Sequence, residues 1–160
     1  MENFDIGLLV KDVIRELRGM AERKKLRLSF SSTKTESFIV LGDTEKLRQV
    51  ITNVIDNAIK YTPKGSIEVA LSKNDSDGIT LSVVDTGIGI LPENIESLFE
   101  KFSRAPNGKI VSSGSGLGLY LAKLIISAHN GNLAVSSHGY ERGSTFSITL
   151  PVPGDVAKKL

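Results

Sequence analysis

The 160-residue chain contains no cysteine, which excludes a disulfide framework, a thiolate metal site and a cysteine nucleophile. Net charge is also scarce. Twenty basic against 18 acidic residues leave +2, too little for the one-signed field that steers a protein onto nucleic acid or a membrane surface. The one basic cluster, Arg23, Lys24, Lys25 and Arg27, fits a helix C-terminus, where cations complement the macrodipole. No nucleic-acid partner and no direct membrane contact are expected. No apolar run approaches the roughly 18 residues of a membrane span, and the first residues lack a signal peptide's apolar stretch. A cytoplasmic location is expected, within a parent protein that is free to be membrane-anchored elsewhere. The common phosphate-binding signatures are missing too: there is no GxxxxGK[ST], and neither glycine cluster fits GxGxxG. His129 and His138 are the only histidines, and their surroundings show no zinc-ligand spacing.

What is present reads as one domain, long enough to bury about 68–70% of the surface its unfolded chain exposes. Apolar residues at 9, 10, 13, 14, 17, 20 and 21 predict a helix over residues 8–24, after a short extended start at Phe4 to Ile6. Alternation predicts strands at Leu26 to Phe30 and Phe38 to Leu41. Asp43 or Thr44 then caps a helix that ends before Pro63. Ile67, Val69 and Leu71 alternate, as do Ile79, Leu81 and Val83, with turn residues between them, which predicts a hairpin. Leu117, Tyr120, Leu121, Leu124, Ile125 and Ala128 predict a helical stripe stopped by Asn130-Gly131, and a last hairpin joins 133–137 to 144–150. The expected fold class is α/β (α+β), a two-layer sandwich with a mixed, largely antiparallel sheet and helices on one face. The domain is expected to span 1–151, with 152–160 a polar tail that frays.

The richest segment is Asn53-Val-Ile-Asp-Asn-Ala-Ile-Lys-Tyr-Thr62. On a helix, Asn53, Asn57, Lys60 and Tyr61 gather along one stripe. The apolar stripe of the same helix, Leu47, Val50, Ile51, Val54, Ile55, Ala58 and Ile59, points about a third of a turn away. One face packs and its neighbour is free to bind. Two carboxamides, an ammonium and a phenol ring suit a metal-bound nucleotide, although two asparagines four apart are equally compatible with a solvated helix face. Downstream, Val83-Val-Asp-Thr-Gly-Ile-Gly-Ile90 ends a strand on a carboxylate, which taken alone reads as the opening of a turn. Gly114-Ser-Gly-Leu-Gly-Leu119 places three glycines just before a helix.

In this order and spacing, with Leu98-Phe-Glu-Lys-Phe102 and Gly143-Ser-Thr-Phe-Ser-Ile-Thr-Leu-Pro151, these segments resemble the catalytic ATP-binding domain of sensor histidine kinases, within the gyrase-like ATPase superfamily. The resemblance covers nearly the whole chain and implies the Bergerat-type ATP-binding fold, with ATP and Mg²⁺ as cofactors. It makes Asp85 the adenine-reading residue and Thr145 a second polar contact, with Gly87 and Gly89 letting backbone pass the base and Ile90 forming pocket wall. It makes Asn57 the magnesium ligand, Lys60 a phosphate-neutralising cation and Tyr61 a surface for base or ribose. Residues between Phe99 and Gly118 become the ATP lid, anchored by Phe99 and Phe102, with Arg104 facing phosphate and Gly114, Gly116, Leu117 and Gly118 forming its phosphate-side end. Asn53 stands where hydrolysing relatives carry a water-activating glutamate, and a carboxamide cannot act as a general base. Asn53, Lys60 and Arg104 are thus the residues expected to serve transfer rather than hydrolysis.

The implied partners are ATP, a histidine-bearing dimerisation domain of the same kinase that is expected to lie outside this chain, and a response regulator downstream. The chain itself is expected to be monomeric. Two alternatives remain open: a serine kinase of the anti-sigma-factor type, and a non-enzymatic module whose lid changes a binding surface with ATP.

Overall fold

The computed structural model describes residues 1–33, 37–74, 78–103 and 116–154. Strand β1 (Glu2–Asp5) runs into helix α1 (Ile6–Arg23), where the Asp5 carboxylate accepts the Gly7 amide at 2.8 Å and caps the helix. Strands β2 (Arg27–Ser32) and β3 (Ile39–Gly42) precede α2 (Thr44–Lys60), capped by Asp43. Then come β4 (Ser66–Lys73), β5 (Gly78–Asp85), the short α3 (Pro92–Ile95) and a 3-10 turn (Glu96–Phe99). Helix α4 (Gly118–Ala128) and strands β6 (Asn132–Ser136) and β7 (Ser144–Pro151) complete the domain.

The main sheet has the order β2-β4-β5-β7-β6, and β2–β4 is its one parallel pair. The parallel sense follows from the connection, because β3 and α2 intervene and carry the chain back to the same end. The other pairs are antiparallel. The extended start is itself a paired strand: β1 joins β3 in a separate two-stranded sheet, with Phe4 opposite Val40.

Strand alternation sets the inner face. Ile67, Val69, Leu71, Ile79, Leu81, Val83, Phe146, Ile148 and Leu150 all point to the core, while the residues that alternate with them face outward. The whole apolar stripe expected on α2 is buried, leaving Asn53, Asn57 and Lys60 beside it as anticipated. The chain therefore has the α/β sandwich fold with a mostly antiparallel mixed sheet. Val152 also packs against the core.

Helix α4 departs from expectation. Its fully buried side chains are Ala122 and Ile126, continued by His129, while Leu121, Leu124 and Ala128 are exposed. The segment is apolar almost all round, so periodicity alone could not decide which stripe packs. His129 settles the rotation. Its Nε2 accepts the Asp43 amide at 3.0 Å, and its Nδ1 therefore carries the proton donated to the Ile125 carbonyl at 2.7 Å. This buried ring ties the end of α4 to the start of α2. Lys24 does likewise at the other end of α2, donating to the carbonyls of Ile59 (2.6 Å) and Lys60 (3.1 Å). Burial holds its pKa below the usual lysine range.

Candidate functional site

A cavity of about 300 Å³ lies between α2, the end of β5 and the start of α4. Its walls include Asn53, Asn57, Lys60 and Tyr61 from α2 and Asp85 from β5. The loop after β5 contributes Gly89 and Ile90, and the approach to α4 contributes Gly116 and Gly118. Nine of the expected site residues thus share one space.

Among the described residues Asp85 is the only acidic one in that wall, and it is 5% exposed. It has the parity of Val83 and Leu81, which is why the carboxylate points inward. Opposite it in the register is Ser144. Oδ1 accepts the Gly87 amide at 2.9 Å and the Ser144 amide at 3.3 Å, and Oδ2 accepts the Ser144 hydroxyl at 2.6 Å. A carboxylate offers about four lone-pair sites; among the described residues three are filled, and the remaining one, on Oδ2, is suited to one more N–H donor. Burial pushes the Asp85 carboxyl above the usual aspartate range, against the opposing pull of Ser144 and the Gly87 amide.

Thr145 is not in the cavity wall. One residue along the strand, it takes the opposite face with Ser147 and Thr149, while Ser144 lines the cavity. The parity of Phe146, Ile148 and Leu150 carried that information in the sequence. Ile88, Leu98, Leu119 and Phe146 also line the cavity without having been singled out.

Gly87 supports the site rather than facing it. Its amide holds Asp85, its carbonyl accepts the Gly143 amide at 3.1 Å, and a Cβ there would strike the Tyr61 carbonyl. The loop is stapled on both sides: the Ile88 amide donates to the Tyr61 carbonyl at 3.0 Å, and the Glu141 amide to the Ile88 carbonyl at 2.7 Å. Ser137, missed in the sequence, takes the Ile90 amide at 3.0 Å and donates to the Gly143 carbonyl at 2.6 Å. Gly89 has φ +71°, and a side chain there would collide with Gly139.

At the other flank, a Cβ on Gly118 would lie 2.6 Å from Asn53 Nδ2, so the glycine lets the start of α4 rest on that carboxamide. Gly116, with φ +73°, lies against the Phe102 backbone. Phe99 packs on the core, whereas the Phe102 side chain is 69% exposed. Leu117 faces a neighbouring groove between α2 and α4, not the cavity. Arg104 and Gly114 lie outside the described residues. Lys60 Nζ pairs with Asp56 Oδ2 at 2.9 Å.

Among the described residues no cluster of three or more His, Asp or Glu side chains could cage a metal. The carboxamides of Asn53 and Asn57 fit a hard cation that draws its other ligands from phosphate and water, which is the habit of Mg²⁺. No helix among the described residues is long and apolar enough to cross a membrane.

Residues 42–154 match the family model described as histidine kinase-, DNA gyrase B- and HSP90-like ATPase. Among curated proteins, the chain is 34% identical over 152 residues to the sensor protein EvgS of Escherichia coli K12, with 92% of this chain and 12% of that protein covered. It is 38% identical over 149 residues to the adaptive-response sensory kinase SasA of Trichormus variabilis, covering 92% of this chain and 36% of that protein. The chain thus spans well under half the length of these relatives. Among solved structures it superposes on a mycobacterial sensor histidine kinase, MprB, with a TM-score of 0.80 and 29% identity, covering 94% of this chain and 96% of the other.

Proposed function

Since the chain belongs to the family of histidine kinase-, DNA gyrase B- and HSP90-like ATPases, with sensor kinases as its relatives, we propose that it binds MgATP and donates the γ-phosphate to a histidine on a separate dimerisation domain of its parent kinase. The observation that carries this reading is that one cavity joins a buried carboxylate having a single unused acceptor site, Asp85, to the Asn57 carboxamide and the Lys60 ammonium. Adenine offers an exocyclic amine at the position where guanine has a carbonyl, so Asp85 favours adenine. Ile90 and Tyr61 supply surface for the base or ribose. Asn57 would hold magnesium, which supplies charge neutralisation of the phosphate oxygens.

The chain's own contribution is positioning and charge. In the transfer, the lone pair of an imidazole nitrogen forms the N–P bond while the bond from the γ-phosphorus to its bridging oxygen breaks and ADP takes the electrons. Asn53 cannot activate water, so the site favours that nucleophile over hydrolysis. The acceptor has a route through the groove between α2 and α4, which shares Asn53 and Gly118 with the cavity. Its α4 wall exposes Leu121, with Leu124 on the same helix surface. A helix of the histidine-bearing domain laid there would place its imidazole at the phosphate flank. A response regulator would take the phosphate onward in the cytoplasm.

Calorimetric titration with ATP and GTP, with and without magnesium, tests the binding. Mixing the chain with the parent's histidine-bearing domain and labelled ATP tests the transfer, and an acid-labile, alkali-stable phosphoramidate is expected. An acid-stable phosphoserine on another protein would support the anti-sigma type of kinase, and ATP-dependent partner binding without label would support an interaction module.

A further inference from the structure

Lys60 lines the cavity, yet its ammonium is already engaged. Asp56, one helical turn earlier, holds it at 2.9 Å through Oδ2. The two residues line different spaces: Lys60 the cavity, and Asp56, with Gln49 and Thr52, the α2–α4 groove. The other oxygen of Asp56, Oδ1, is buried and has no hydrogen-bond partner among the described residues. A carboxylate oxygen desolvated without a donor is costly, whereas an i,i+4 pair adds little to a helix. Stability alone does not account for this carboxylate. A half-satisfied charged group beside a cation at a binding site is the kind of local conflict that folds retain for function.

We propose that Asp56 is a positioning residue that competes with nucleotide phosphate for Lys60. In the free site its carboxylate keeps the ammonium at the cavity edge. When ATP enters, Lys60 exchanges that carboxylate for phosphate oxygens, and when ADP leaves it returns. The exchange lowers affinity for the phosphate tail below what an unpaired lysine would give, and it speeds departure of the spent nucleotide. The inference rests on the nucleotide-binding reading above.

The test compares the 160-residue chain with Asp56→Asn, Asp56→Glu, Lys60→Met and the Asp56→Asn/Lys60→Met double variant, titrated with ATP, ADP and adenosine in magnesium. Dissociation of a fluorescent ADP analogue is followed by stopped flow. Asp56→Asn is expected to tighten ATP and ADP about threefold to tenfold, between the effects of an exposed and a buried ion pair, and to slow ADP dissociation to match. Adenosine affinity should not move. Asp56→Glu should stay close to the parent, and Asp56→Asn should have no effect once Lys60 is Met. Equal changes for adenosine and ATP, an effect that survives in the Lys60→Met background, or unchanged ADP dissociation would each overturn the proposal while leaving nucleotide binding intact. Failure of the parent chain to bind ATP at all would remove both.

Discussion

The Ser144 hydroxyl donates to Asp85 Oδ2 across 2.6 Å, while the Ser144 amide meets Oδ1 at 3.3 Å. Two adjacent strands thereby hold one buried carboxylate with a fixed orientation and a single free lone pair. If that lone pair reads adenine, Ser144 sets where it points. Ser144→Ala is expected to weaken ATP binding by about threefold to thirtyfold, given about 1.5–3 kcal/mol for a hydrogen bond to a charged group and partial compensation by water. Thr145→Val, on the opposite face of the strand, should leave ATP affinity unchanged. Calorimetry on both variants checks the pair; the reverse ranking would return the role to Thr145.

Asp85→Asn separates binding from stability. ATP affinity should fall about tenfold to a hundredfold, because a charged acceptor is lost. Stability should move the other way. The folded-state pKa of Asp85 lies above its unfolded value, so the protonated carboxyl's contribution is fully present below about pH 3.9 and is lost as pH rises through the folded value. At neutral pH the ionised group is a cost to folding, and asparagine removes it. Urea denaturation at several pH values should show Asp85→Asn gaining on the parent as pH rises across that window. A gap that shrinks with rising pH would contradict the burial-driven shift.

Gly118→Ala addresses the phosphate flank. The added methyl would lie 2.6 Å from Asn53 Nδ2 and 2.7 Å from its Oδ1, so the carboxamide must move. Magnesium-dependent ATP binding is expected to weaken about tenfold, on the scale of a misplaced polar contact to a charged group. Adenosine binding should persist, since its contacts lie at Asp85. Equal loss of both ligands would mean that α4 as a whole had shifted.

Much of this is legible in the sequence. The α2 segment was clear because its two stripes differ in chemistry as well as in phase: every residue from Leu47 to Ile59 expected in the core is buried, and Asn53, Asn57, Lys60 and Tyr61 line the cavity. Helix α4 was not, because a segment apolar on nearly all sides has no readable phase; a long-range bond from His129 to the Asp43 amide sets its rotation. Pairing of β1 with β3 was hidden for the same reason, since strand partners are set across distance in the chain. The period of two in β7 puts Ser144, not Thr145, on the face that lines the cavity, and that parity is readable in the sequence. Ser137 carried no signal at all: its hydroxyl matters only because two loops meet there.

The position of Asn53 also bears on why this site should transfer phosphate rather than hydrolyse ATP. Its carboxamide lines the cavity and touches the start of α4, where Gly118 leaves room for it. The unmodified chain should bind ATP yet hydrolyse it slowly, and it should not label itself. Asn53→Glu would put a general base one helical turn from Asn57, with its charge near the N-terminal amides of α4, which favour an anion. Hydrolysis should rise, by up to about 10²–10⁴-fold if the carboxylate reaches the attacking water. Repulsion between the new carboxylate and the phosphates would appear separately, as weaker ATP binding in the same titration. Phosphate release measured with excess ATP, for the parent, Asn53→Glu and Asn53→Gln, checks this; the Gln variant controls for side-chain length and should stay slow. Rapid release by the parent that scales with its concentration and disappears in Asn57→Ala would show that the site already activates water without a glutamate, and the transfer reading would fall.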